Sequence, residues 1–231
     1  MVEVLQAELI RILGKIQVKV CCISSVPEAL LAIEKGANFL GLIAEMPSGP
    51  GVISNKTIKE IVETVRGKVE TVLLSSRTSV RGIIEQYKTV NTSCIQIVDT
   101  LSNGTHGELK SALPGVKIIQ VLHVLGESTL QEAKDLGTSV DYILLDSGNP
   151  SAKTKILGGT GKIHDWSISS KIVKLAKVPI FLAGGISAKN AAFAVEAVKP
   201  FGLDVCSGLR TDENLDSKKI DDFFELLKRY F

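Results

Sequence analysis

Several features that mark protein classes are scarce in this sequence. Net charge is one of them: 27 Lys+Arg and 25 Asp+Glu leave a formal charge of only +2. No segment concentrates Lys and Arg as a phosphate-tracking surface would, so a nucleic-acid partner is not expected. Long hydrophobic runs are missing too. The longest, residues 39–44 and 178–186, fall well short of the roughly 18 residues of a membrane-spanning helix. Glu3, Glu8 and Arg11 interrupt the apolar pattern at the start, which does not suit a secretory leader. Cysteines are few: Cys21, Cys22, Cys94 and Cys206. One adjacent pair and two distant thiols do not form a disulfide framework, so reduced thiols in a cytoplasmic protein are expected. With only three scattered histidines and no CxxC, HxH or HExxH spacing, no metal site is expected. Disorder is excluded by 45% hydrophobic and 23% charged residues, an ordinary globular composition.

What the sequence does have is a sustained alternation of β-rich and helix-period segments. Strands are expected near 18–23, 39–43, 69–74, 94–98, 117–121, 142–146, 180–183 and 203–207. Helical patterns fill the gaps. Pro27 suits a first helical turn, Ser54, Ser79, Ser128 and Ser187 precede helix-period runs as candidate caps, and Ile220, Phe223, Phe224 and Leu227 share one face of the last helix. Eight strands, each followed by a helix, predict a (β/α)8 TIM barrel. Residues 1–231 then form one domain, with a barrel over 18–231. Leu5, Leu9, Ile12, Leu13 and Ile16 predict an extra N-terminal helix over 1–16. An open doubly wound sheet fits less well, because strand one ends Cys21-Cys22-Ile23-Ser24-Ser25 with no glycine fingerprint. The long connection over 147–165 reads as a lid or a solvated insertion.

A barrel puts its chemistry at the C-terminal strand ends. Period-2 alternation places Lys19 and Cys21 on the inner face of strand one. A thiol near an ammonium loses its proton more readily and can act as base or nucleophile; the alternative is a small core residue. Asp146 ends the apolar strand six, where a carboxylate is costly to bury without a partner; the alternative is a cap for the following turn. Glycines end strands seven and eight at Gly184-Gly185 and Ser207-Gly208, and Gly158-Gly159-Thr160-Gly161-Lys162 adds a third glycine-rich loop. These are the expected phosphate contacts, because backbone N–H groups can approach an anion there. His123, just past strand five, and His164 are secondary candidates. His106 reads as a surface residue at a helix start.

Together these residues resemble the phosphoribosylanthranilate isomerase family. Lys19-Val20-Cys21-Cys22-Ile23-Ser24 is similar to its K-[IV]-C-G-[IL]-[TS]. Leu144-Leu145-Asp146-Ser147, the 158–162 loop and Asp165-Trp166 resemble its L-L-D-[ST]…G-G-[TS]-G-K-x-F-D-W. Ala183-Gly184-Gly185 and the run 199–208 resemble A-G-G and [RK]-P-[YF]-G-[VL]-D-[VL]-S-S-G. The resemblance implies an Amadori rearrangement of a phosphorylated sugar substrate with Cys21 as base and Asp146 as acid, without metal or organic cofactor, in a monomer or homodimer. It further implies phosphate contacts at Gly159, Thr160, Gly161, Gly184, Gly185, Ser207 and Gly208. Five departures stand out, one of them His164 in place of the Phe before Asp-Trp. Gly51 replaces the Arg expected to grip the anthranilate carboxylate. Val98 replaces the His of Q-L-H-G. Cys22 replaces a Gly, and Arg210 replaces an acidic residue. Arg210 or His123 is the expected substitute for the missing Arg, with Lys19 also among the substrate contacts. The alternatives are a related barrel enzyme acting on another phosphorylated sugar, and a non-catalytic phosphosugar-binding barrel.

Overall fold

The computed structural model describes residues 15–47, 49–148 and 164–231. The expected N-terminal helix and the glycine-rich loop at Gly158–Gly161 lie outside them. Eight parallel strands close into a barrel in sequence order, with β1 hydrogen-bonded to both β2 and β8. They are β1 (Gln17–Val20), β2 (Phe39–Ile43), β3 (Glu70–Ser75), β4 (Cys94–Ile97), β5 (Lys117–His123), β6 (Tyr142–Asp146), β7 (Ile180–Leu182) and β8 (Gly202–Val205). Each is followed by a helix: α1 (Val26–Lys35), α2 (Asn55–Val65), α3 (Val80–Tyr87), α4 (His106–Ala112), α5 (Ser128–Leu136), α6 (Trp166–Leu175), α7 (Ala191–Val198) and α8 (Ser217–Leu227). A short antiparallel hairpin, β9 (Arg210–Thr211) with β10 (Asn214–Leu215), lies between β8 and α8. No helix among the described residues is long and apolar enough to cross a membrane.

Local chemistry sets the helix starts. Ser25, Ser54, Ser79 and Thr105 each accept a hydrogen bond from a backbone N–H of the first turn, satisfying donors that have no intrahelical partner. Thr105 and Glu108 complete a capping box. Two expected caps differ. Ser128 is already inside α5, which starts without a side-chain cap. At α7 the cap position belongs to Asn190, whose Oδ1 accepts from Ser187 N–H. His106 does open α4, but it is half-buried, its Nε2 2.9 Å from Gln120 Oε1.

The strand period divides the interior into two layers. Val18, Val20, Leu40, Leu42, Leu203 and Val205 point outward and pack under the helices. Their neighbours point into the barrel. At its N-terminal end Phe39, Tyr142, Phe181 and Phe201 fill the interior, with ring centroids 5.1–6.0 Å apart. Edge-to-face packing of this kind closes the floor. Lys117 and Glu70 pair at 3.4 Å beside Tyr142 at this end, and a second polar group gathers at the opposite end.

Candidate active site

Cys21, Asp146, Lys19, Asp204, Gln96 and His123 are the polar residues that the strands turn into the upper barrel. All but Asp204, which is half-buried, are buried. Lys19 Nζ pairs with Asp204 Oδ1 at 2.8 Å, directly across the β1–β8 register. Gly41 of β2 makes room for this group: a Cβ there would lie 2.6 Å from Cys21 Sγ and 3.1 Å from Lys19 Nζ. Asp146 and His123 are register partners on β6 and β5. His123 Nε2 donates to the Val98 carbonyl at 3.2 Å. Its Nδ1 and the Gln96 Oε1 are buried without a partner among the described residues. The imidazole from β5 thus sits against the residue that replaces the histidine of the family motif.

Burial dominates the electrostatics. It pushes the Cys21 thiol up to about 11, with Lys19 pulling the other way and Asp204 adding to the rise. Burial also raises Asp146. The Ser147 N–H, His123 and Lys19 lower it, and Asp204 raises it further. Desolvation pulls the Lys19 ammonium down, but Asp204 and then Cys21 outweigh it, and the net shift is upward. A thiol and a carboxyl group that both hold protons more tightly than usual therefore share one electrostatic environment. The turn-cap reading of Asp146 is also realised, because Ser147 N–H donates to its Oδ1 at 2.7 Å.

The β7 and β8 exits meet at the same end. Gly184 and Gly185 both have positive φ, and Ser207–Leu209 forms a single 3-10 turn. A Cβ on Gly208 would lie 2.1 Å from the Ile186 carbonyl oxygen, so only glycine lets the two loops touch. Gly184, Gly185, Ser207 and Gly208 are thereby brought together. Gly159, Thr160 and Gly161 lie outside the described residues. His164 bonds Ser169 Oγ through Nε2 at 2.7 Å, and burial pulls its imidazole down to about 4, with Asp165 opposing.

One expectation needs correction. Cys22 and Cys206 are not free thiols: they form a disulfide with Cα atoms 6.0 Å apart, although 184 residues separate them. Barrel closure is the reason, since the last residues of β1 and β8, Val20 and Val205, are register partners. Only Cys21 and Cys94 are free. Arg210 is already engaged within the fold. Its guanidinium pairs with Glu28 at 3.0 Å and donates to the Glu213 and Cys22 carbonyls. Lys19 is wholly buried against Asp204. Gly51 belongs to the disulfide seam as well, since a Cβ there would lie 2.7 Å from Cys22 Cβ.

Sequence reasoning missed Asp204 as a site residue. Strand alternation could have found it, because Asp204 has the parity of an inward residue on β8 and lies opposite Lys19 once the barrel is closed.

Comparison with known proteins agrees with the barrel fold. The family model described as N-(5'phosphoribosyl)anthranilate (PRA) isomerase matches residues 18–226. Among relatives, N-(5'-phosphoribosyl)anthranilate isomerase of Methanosarcina acetivorans is 31% identical, covering 91% of this chain and 92% of its own. Isomerase 2 of Methanosarcina mazei is 30% identical, covering 93% and 95%. The solved phosphoribosyl anthranilate isomerase of Thermotoga maritima shares the fold, with a TM-score of 0.76 at 24% identity over 93% of this chain and 99% of that one. Match length and identity together show that the chain belongs to the N-(5'-phosphoribosyl)anthranilate isomerase family.

Proposed function

We propose that the barrel mouth catalyses the Amadori rearrangement of N-(5'-phosphoribosyl)anthranilate, a step of tryptophan biosynthesis. Asp146, which holds its proton above the usual carboxylate range, protonates the ribose ring oxygen as the anthranilate nitrogen pushes the ring open to a Schiff base. Cys21, as thiolate, removes the proton from sugar carbon 2. The resulting enol-amine tautomerises to the amino-ketose. Backbone groups of Gly184, Gly185, Ser207 and Gly208 hold the phosphate, as glycine-rich strand ends of such barrels do, and Gly159, Thr160 and Gly161 are the further phosphate contacts of this reading. His123 contacts the sugar or the aglycone. Each barrel carries its own Cys21 and Asp146, so a monomer or a homodimer suffices. The reaction runs in the cytoplasm, where phosphorylated intermediates are made.

One observation carries this reading: Cys21 and Asp146 face the same end of the barrel interior and act electrostatically on the same Lys19–Asp204 pair. Loss of fluorescence from phosphoribosylanthranilate on adding purified protein tests it, together with growth rescue of a tryptophan-requiring host that lacks this isomerase. Turnover and rescue are expected; soluble protein with neither refutes it.

Gly51 and the engaged Arg210 favour a second reading, in which the same sugar-phosphate site takes a different aglycone. Tight binding of ribulose-phosphate ligands without turnover of the anthranilate substrate would select it.

A further inference from the structure

Lys19 is among the largest fully buried side chains of the described residues. A lysine is almost never buried to this degree unless paired, and it is paired here, with Asp204 at 2.8 Å. Such a pair is a poor stabiliser. Removing two charges from water is costly, and well-packed apolar replacements of both are often neutral or better. The pair therefore calls for a role other than stability, and its surroundings supply one. Lys19 Nζ and Cys21 Sγ both approach the space that Gly41 leaves open, at 3.1 and 2.6 Å from the point a Cβ would occupy. Lys19 and Cys21 share the inner face of one strand end. Asp204 holds the ammonium from the neighbouring strand, and its other backbone neighbours point outward.

We propose that Lys19 and Asp204 are positioning residues for Cys21. The Lys19 ammonium donates to the sulfur and stabilises the thiolate, while Asp204 fixes the ammonium in place. This rests on Cys21 being the base of the proposed reaction. The thiolate takes the carbon-2 proton and becomes a thiol; Lys19 stays an ammonium throughout and neither gains nor loses a proton. The other titratable groups turned to this end are Asp146 on β6 and His123 on β5. Of these, Asp146 also feels Lys19 and Asp204.

The test compares Lys19→Met with the double variant Lys19→Met/Asp204→Leu. Three quantities are read: the urea midpoint, the pH dependence of iodoacetamide labelling at Cys21 located by peptide mass, and kcat and KM for phosphoribosylanthranilate. Lys19→Met should lose stability, because Asp204 is left half-buried and without its Lys19 partner. The double variant should regain the wild-type urea midpoint. In both, the Cys21 labelling midpoint should move up, read as a labelling rate roughly 10-fold or more lower at a fixed pH, the effect of losing an opposite charge at close range. kcat should fall about 100-fold or more, with KM nearly unchanged. If Lys19→Met does not fold, the double variant alone decides. Recovery of kcat and of the labelling midpoint in the double variant would overturn the proposal and leave a purely structural pair. Full turnover by Cys21→Ala would instead sink the base assignment, while the labelling shift would still report on the pair.

Discussion

The Cys22–Cys206 disulfide is a firm quantitative target, because it joins the two ends of the barrel sequence. Its loop spans 184 residues. In the chain-entropy treatment, a loop of that size removes enough freedom from the unfolded chain to stabilise the fold by about 5 kcal/mol. Cys206→Ser removes the bond and leaves Cys22 at its positive φ of 65°, so the backbone cost at that residue is the same in both proteins. With a urea m-value of about 2–3 kcal/mol/M for a chain of this size, the midpoint should fall by roughly 2 M. Wild-type protein treated with dithiothreitol should show the same fall, and the reduced variant should show no further change. Peptide mapping without reductant should recover residues 22 and 206 in one linked fragment. An unchanged midpoint in Cys206→Ser, with no linked fragment, would refute the reasoning.

Two further perturbations act on the site itself. Gly41→Ala would push a methyl group onto Cys21 Sγ and Lys19 Nζ; overpacking of this kind costs about 1–3 kcal/mol, and turnover should drop at least about tenfold with the barrel still folded by circular dichroism. His164, lowered to about 4 by burial, stays neutral in the folded protein while the unfolded chain protonates near the ordinary histidine value of about 6.5. Its contribution is therefore present above about 6.5 and lost as the pH falls toward 4. His164→Gln should flatten that part of the stability profile measured by urea unfolding between those limits; an identical profile would contradict the assigned state.

The barrel was legible because its period-2 and helix-period signals are strong. Expected strands 39–43 and 142–146 coincide with β2 and β6, and the remaining strands shift by one to three residues at their ends. The inward placement of Lys19 and Cys21 followed from alternation along a single strand. Features that depend on ring closure were not legible. Val20 and Val205 become neighbours only when β1 pairs with β8, and that pairing creates both the disulfide and the Lys19–Asp204 contact. The Arg210–Glu28 pair was not legible for a related reason: Glu28 lies in α1, 182 residues away, and local sequence carries no sign of the pair. Caps depend on one or two residues of backbone geometry, which explains why Ser54 and Ser79 were found while Ser128 and Ser187 were misplaced.

The central claim is that one thiol and one carboxyl group carry the reaction. It is tested most directly by steady-state turnover of phosphoribosylanthranilate by Cys21→Ala and Asp146→Asn, each verified as folded by its unfolding transition. Each variant should lose about 100-fold or more in kcat/KM, the scale of a missing general acid or base, with its urea midpoint at or above that of the wild type for Asp146→Asn. Wild-type turnover in either folded variant would contradict the account.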